Sequence, residues 1–178
     1  MTFSNPAGAA VGNANAYREA VIALIGQRDP LDVLGELPEW LRLKLKNLDD
    51  ARLRKPEAPN KWSVMEVVAH LNDAELVHGH RTRMIVAERE PAIVGYDQDG
   101  WALAFGYAHA DLKTTLAMLT AMREANLRLW SAFTPAQLAR VGHHSERGPE
   151  SAGLYLRLAA GHDLVHRRQI ERILKETA

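Results

Sequence analysis

The chain has 178 residues and a mass of 19.8 kDa, a length typical of one folded domain. Its 22 Lys and Arg residues balance 22 Asp and Glu residues, so it lacks the basic excess expected of a nucleic-acid-binding protein. It contains no cysteine, which excludes disulfides, a cysteine nucleophile and thiolate metal sites. Any metal ion must therefore be bound by histidine, aspartate and glutamate side chains.

The apolar segments are too short for a membrane span. The longest, such as residues 21–25, fall far short of the roughly 18 residues that a spanning helix requires. The first residues also lack the charged region and apolar core of a secretion signal. We therefore expect a soluble cytoplasmic protein that binds neither nucleic acid nor membrane. Residues 1–14 are rich in Ala, Gly and Asn, which predicts a mobile tail before a single helical domain over residues 15–178.

Helical periodicity runs through most of this domain. A short helix is predicted to begin at about Tyr17 and to end before Pro30. A second helix is predicted over residues 31–48, with leucines on one face and with Pro38 predicting a kink or a fresh start. The early connections are short enough for neighbouring antiparallel helices.

The clearest helix start is the capping box Ser63-Val64-Met65-Glu66, which predicts a helix to about Arg89. Two more long helices are predicted over residues 111–133 and 150–176, with a capped turn at 134–137 and a loop at 141–149 between them. No segment alternates with period two over a useful length, so no strand is predicted. These elements predict an all-α, antiparallel four-helix bundle in which residues 90–110 form a long crossover connection.

Three of the eight histidines have a spacing that suits a metal site. His162 and His166 lie four residues apart on the last helix, so both imidazoles can reach one ion. His70 lies among apolar residues of the capped helix and is the natural third ligand. Three neutral nitrogens leave a coordination position open, as in a catalytic site. The alternative is that all three are hydrogen-bonded core residues, because H-x-x-x-H also arises by chance on helices.

Two carboxylates near these histidines are candidates for catalysis. The segment His162-Asp163-Leu164-Val165-His166 has the spacing of the metalloprotease H-E-x-x-H motif, with a shorter Asp in place of Glu. We expect Asp163 to act as a base or to orient a ligand through a hydrogen bond. Asp73, one turn after His70, is the second candidate, although a solvated helix residue is an equally good interpretation.

Two segments resemble the signature helices of the DinB/YfiT-like superfamily. They are KWSVMEVVAHLNDAE at residues 61–75 and HDLVHRRQI at residues 162–170, and GYDQDGWA at residues 95–102 resembles a linker of the same group. The resemblance implies a four-helix bundle in which His70, His162 and His166 bind a divalent metal, commonly zinc or nickel. It also implies a homodimer, since family members often pair through helix faces.

The activity that this resemblance implies is broader. Relatives include S-transferases and an isomerase that use low-molecular-weight thiols, and many others are described only as candidate metal-dependent hydrolases. We therefore expect a metal-dependent enzyme for a small molecule, acting by hydrolysis or with a thiol cosubstrate. Tyr96 and Trp101 are predicted to flank its pocket. The alternative is a metal-binding or stress-response protein of the same fold without turnover.

Overall fold

The computed structural model describes residues 14–177 of the chain, with side chains from residue 16 onward. The tail predicted for residues 1–14 lies outside this range, apart from Ala14, where the first helix begins. The helices are α1 (Ala14–Ile25), α2 (Pro30–Leu45), α3 (Asp50–Leu53), α4 (Val64–Ala87), α5 (Gln98–Ala104), α6 (Leu112–Ser131), α7 (Pro135–Leu138) and α8 (Ala152–Glu176). The strands are β1 (Ala92–Ile93), β2 (Val141–His144) and β3 (Gly148–Ser151), and a 3-10 turn spans Tyr107–His109.

Four long helices, α2, α4, α6 and α8, form the predicted bundle. Helices α2 and α4 each pack on both α6 and α8, so they occupy opposite corners of the bundle. Short early connections had predicted neighbours in sequence order; instead α6 and α8 separate the first two long helices. Helix α1 covers α8 from outside. The connection from α4 to α6 contains β1, α5 and the 3-10 turn.

The helix boundaries follow the local signals. Ser63 Oγ accepts the backbone N–H of Glu66, and Glu66 Oε2 accepts the backbone N–H of Ser63 over 2.8 Å, which completes the capping box of α4. Asp29 caps α2 in the same manner by accepting from the N–H of Leu31. Helix α2 continues through Pro38 as one element. The capping box therefore fixes where α4 begins, and with it the register of His70.

A small three-stranded sheet contradicts the expectation that the chain has no strand. Strand β1 pairs in parallel with β2, with Ala92 opposite His143, and β2 pairs antiparallel with β3. The segment 141–149, predicted to be a loop, is largely a hairpin that turns at Gly148, where φ is +78°. Strands of two to four residues are too short to show an alternating pattern, and β1 finds its partner about fifty residues away.

The interior is filled mainly by the predicted apolar faces. The leucines of α2 at positions 34, 37, 41 and 45 are buried, and they pack with residues of α4 and α8. Helix α6 differs, because Arg123 and Asn126 lie on its buried face beside Leu119 and Trp130. Among residues 14–177, no helix combines the length and apolar character needed to cross a membrane.

Candidate metal centre

The structure brings the three predicted histidines together at one point between α4 and α8. His162 Nε2 lies 3.1 Å from His70 Nε2 and 3.0 Å from His166 Nε2. One nitrogen from each residue lies within 4.8 Å of the other two. His70 and His166 are fully buried, whereas His162 is partly accessible. The capping box of α4 and the four-residue spacing on α8 thus aim three imidazoles at a common site.

The contacts among these nitrogens fit a shared cation. An imidazole nitrogen carries either one hydrogen or one lone pair, so hydrogen bonding satisfies only one of the two contacts at His162 Nε2. In a tetrahedral site with bonds of about 2.0–2.1 Å, ligand nitrogens lie roughly 3.3 Å apart. The observed separations are close to that value. An all-nitrogen donor set suits zinc, nickel and related divalent ions.

The protonation state of the cluster also fits a metal site. Burial, followed by the proximity of His166, holds the pKa of His70 and of His162 well below the usual range. Burial lowers the pKa of His166 to about 4, although its hydrogen bond to Gln169 opposes the shift. All three imidazoles are therefore neutral near pH 7, which is the form that binds a metal ion.

Residues next to the cluster fix the orientation of two of the rings. Gln169 Oε1 lies 2.8 Å from His166 Nδ1, so it can accept that N–H, and the lone pair of the neutral ring is then on Nε2, where it can bind an ion. The Trp62 ring lies 5.1 Å from the His70 ring at an interplanar angle of 50°. Both residues belong to the segments that carry the family resemblance, although no role was predicted for Gln169. Such supporting acceptors set the tautomer of a ligand histidine.

Asp163 contacts a buried arginine of α6 rather than the three histidines. Its Oδ2 accepts from Arg123 Nη1 over 2.7 Å, and Arg123 also donates from Nε to Glu75 Oε2 over 2.7 Å. All three side chains are buried. Burial raises the pKa of Asp163 to about 6, while Arg123 opposes this shift. The structure thus places the predicted base in an ion-pair network of the core.

Asp73, the second predicted carboxylate, is also engaged with a residue outside the cluster. Its Oδ2 accepts a hydrogen bond from the Tyr107 hydroxyl over 2.6 Å. This bond ties the 3-10 turn to α4. The catalytic role of Asp73 stays a prediction, and its observed contact with Tyr107 supports the structure.

A cavity of about 350 Å³ opens beside the cluster and reaches His162 and His166. Tyr96 lines it, with its ring 4.5 Å from that of Trp101, and the role of both residues in binding a substrate stays a prediction. Trp101 itself packs behind Tyr96 and against the core rather than in the cavity wall. Other lining side chains, which the sequence did not single out, are Tyr17, His78, Arg81, His144, Arg147 and Tyr155.

His78 lies beside the cluster and was not among the predicted site residues. Its ring lies 5.5 Å from that of His162, and its Nδ1 is 2.9 Å from the Tyr155 hydroxyl. Its Nε2 is closed off from solvent and has no hydrogen-bond partner within the described residues. The sequence feature that could have indicated this position is the spacing of eight residues from His70, which places both histidines on one side of α4.

Taken together, a helical bundle with three neutral imidazoles converging beside a cavity defines a candidate metal-binding protein. The sequence profile of the DinB superfamily matches residues 36–170 of the chain. The chain belongs to this superfamily, which confirms the resemblance seen in its two histidine-bearing segments.

Individual relatives support this assignment. A candidate metal-dependent hydrolase of Oceanobacillus iheyensis is 24% identical over 145 residues, covering 82% of this chain and 84% of the relative. YfiT of Bacillus subtilis, another candidate metal-dependent hydrolase, is 28% identical over 116 residues, covering 65% of each chain. The solved structure of YfiT matches with a TM-score of 0.77 and 26% identity over 82% of this chain and 84% of that chain. It is described as "a probable metal-dependent hydrolase with an unusual four-helix bundle topology".

Proposed function

We propose that the protein is a divalent-metal-dependent enzyme that acts on a small molecule. His70, His162 and His166 would hold the ion, which we take to be zinc or nickel. The observation that carries this proposal is the position of His162 Nε2, which lies 3.1 Å from His70 Nε2 and 3.0 Å from His166 Nε2. The relatives named for metal-dependent hydrolysis support it further.

The chemistry at this site follows from the donor set and its surroundings. When bound, a divalent ion supplies a positive charge that lowers the pKa of water or of a thiol, and so provides a nucleophile near neutral pH. The three imidazoles supply three neutral donors, and the side of His162 that faces the cavity is where a further ligand can approach. Gln169 holds the His166 ring in place, and Tyr96, with Trp101 packed behind it, forms part of the cavity wall.

Hydrolysis and thiol-dependent S-transfer are the two activities that this arrangement supports. Both need a nucleophile that approaches the ion from the cavity. Because the chain has no cysteine, a thiol would have to arrive as a low-molecular-weight cosubstrate. The names of the relatives favour hydrolysis, whereas the family resemblance adds S-transfer.

The first test is elemental analysis of protein purified without an affinity tag or added metal. We expect about one zinc or nickel ion per chain in the native protein and its loss in His166→Ala. His143→Ala is the matched control, because His143 is exposed on β2 and lies outside the cluster. A native chain that takes up no metal, even after dialysis against zinc and nickel, would overturn the proposal.

The second test is turnover by the metal-loaded protein. We expect hydrolysis of a small ester or amide, or transfer of a low-molecular-weight thiol to an electrophile, and we expect His162→Ala to abolish it. If the protein holds stoichiometric metal but neither hydrolyses such esters and amides nor transfers a thiol, the alternative of a metal-binding protein without catalysis is favoured.

A further inference from the structure

We infer that Arg81 forms a binding site in the cavity for an anionic group, a carboxylate or a phosphate, carried by the substrate. This inference rests on the proposed function, because it takes the cavity beside the three histidines as the substrate site. It adds a chemical class to that substrate: a molecule with a negatively charged group at one end and the reacting group at the other.

Arg81 lies on the same helix as the metal centre and lines the same cavity. It follows His70 by eleven residues, which is about three turns and roughly 16 Å along the axis of α4. The side chain is only 9% exposed. Its Nη2 donates to the carbonyl oxygen of Val94 over 2.5 Å. This bond holds the guanidinium at the cavity wall, against the connection between β1 and α5.

The charge of Arg81 has no balancing carboxylate within the described part of the chain. Arg123, also buried, is paired with both Glu75 and Asp163 at 2.7 Å. Arg147, at the same cavity, is paired with Glu150 at 2.6 Å. Among the side chains of residues 16–177, Arg81 forms no such ion pair, and its acceptors, the Val94 carbonyl and the Tyr155 hydroxyl, are neutral.

Buried charges in proteins are ordinarily paired, because removing an unpaired charge from water is costly. The same chain pairs its two other cavity or core arginines, so an unpaired Arg81 indicates a partner that is not part of the protein. A guanidinium offers N–H donors in a planar fork that matches carboxylate and phosphate oxygens.

The neighbouring side chains suit the same kind of ligand. The guanidinium carbon of Arg81 lies 5.7 Å from the Tyr96 ring centroid. Burial raises the pKa of Tyr96 above the usual range, so its hydroxyl stays protonated and can donate to an anion, whereas the Tyr155 hydroxyl is engaged with His78 and Arg81. Two carboxylates, Asp97 and Glu146, also line the cavity, but both are exposed, and Asp97 caps α5 through the N–H of Gly100.

A two-ended probe tests the inference by binding rather than by activity. The hydroxamate of suberic acid monohydroxamate binds metal ions, and its far end is a carboxylate. Its methyl ester has the same length without the charge, and the phosphonate of equal chain length separates phosphate-like from carboxylate preference. Isothermal titration of zinc-loaded native protein is expected to show the acid or the phosphonate binding at least about 10-fold more tightly than the ester.

The variants locate this preference. Arg81→Gln is expected to reduce the ratio of acid to ester affinity to about 1 while leaving the affinity for the ester unchanged. Arg81→Lys keeps the charge but loses the fork, so an intermediate ratio is expected. Arg168→Gln, which removes an exposed charge from α8, is expected to retain the native ratio. Far-UV circular dichroism and a thermal melt establish that each variant folds.

The outcomes separate this inference from the proposed function. Equal affinity of native protein for the acid, the phosphonate and the ester overturns the anion site, and this comparison needs no variant. If the protein binds neither zinc nor nickel, the proposed function fails. The anion site is then judged on metal-free protein with suberate against neutral suberamide, where Arg81-dependent binding of suberate supports it and no binding overturns it.

Discussion

Arg123 Nη1 lies 2.7 Å from Asp163 Oδ2 in the interior of the bundle, one residue along the chain from the candidate ligand His162. The same guanidinium donates to Glu75 and to the carbonyl oxygen of Leu34. One side chain of α6 therefore binds groups on α2, α4 and α8. This network connects all four helices of the bundle directly behind the metal centre.

The network predicts that Asp163 is a structural residue. Asp163→Ala removes the charged acceptor of Arg123 Nη1, while Arg123 keeps its ion pair with Glu75, so the variant is expected to lower the free energy of unfolding by about 1.5–3 kcal/mol. Urea denaturation of metal-free protein measures this change. Glu124→Ala is the control, because Glu124 is exposed next to Arg123 on α6, and its effect is expected within about 0.5 kcal/mol. An Asp163→Ala protein of native stability that has lost only turnover would instead support a role as a base.

Gln169 is expected to control metal affinity without binding the ion. Its hydrogen bond to His166 Nδ1 fixes the ring, and loss of such a partner costs about 10–100-fold in affinity. Competition with a metal-binding dye should show this loss in Gln169→Ala, whereas Arg168→Ala, one residue earlier and exposed, should match the native protein. Equal affinities in the two variants would mean that the ring orientation is set by other contacts.

The parts of the fold that depend on nearby residues could be predicted from the sequence. The capping box at Ser63 and the leucine face of α2 involve residues within a few turns, and both are present as predicted. The pairing of His162 with His166 likewise depends only on helical spacing. The prediction that His70 lies beside them was based on its apolar neighbours in the sequence and on the family resemblance.

The parts of the fold and of the site that depend on residues distant in the chain could not be predicted from the sequence. Arg123 and Asn126 look like solvated residues of α6, because their partner Glu75 lies about fifty residues earlier in the chain. The same network explains why the contact of Asp163 could not be predicted: its spacing in the H-x-x-x-H segment says nothing about an arginine on another helix. Strand β1 has two residues and pairs with a segment equally far away, so no local pattern marks it.

The capping box of α4, the helix that carries His70, is expected to stabilise the fold. Ser63 is 1% exposed, and Ser63→Ala removes the acceptor for the Glu66 N–H, so a loss of roughly 1 kcal/mol in the free energy of unfolding is expected. Thr134→Ala is the matched control: it removes the same kind of box from the four-residue helix α7 at the surface. We expect a smaller loss there, because α7 contributes no buried residue to the core. Thermal melts of both variants measure the difference, and a larger loss in Thr134→Ala would contradict the prediction.

Acid should destabilise the metal-free protein through histidines that are buried in the neutral form. Burial, followed by the charge of Arg147, lowers the pKa of His144 from 6.5 to about 4, and its Nδ1 accepts the N–H of Glu146. Below pH 6.5, His144 takes up a proton in the unfolded chain but not in the folded protein. The free energy of unfolding therefore decreases as the pH is lowered from about 6.5 to about 4. This residue alone is expected to account for up to about 2 kcal/mol between pH 7.5 and pH 5.

The variant His144→Asn keeps an acceptor for Glu146 but cannot take up the proton. Urea unfolding at pH 7.5, 6 and 5 is therefore expected to show a shallower fall in stability than in the native protein. His143→Asn, its exposed neighbour on β2, is the control and should follow the native curve. Parallel curves for His144→Asn and the native protein would show that His144 is protonated equally in the folded and unfolded states.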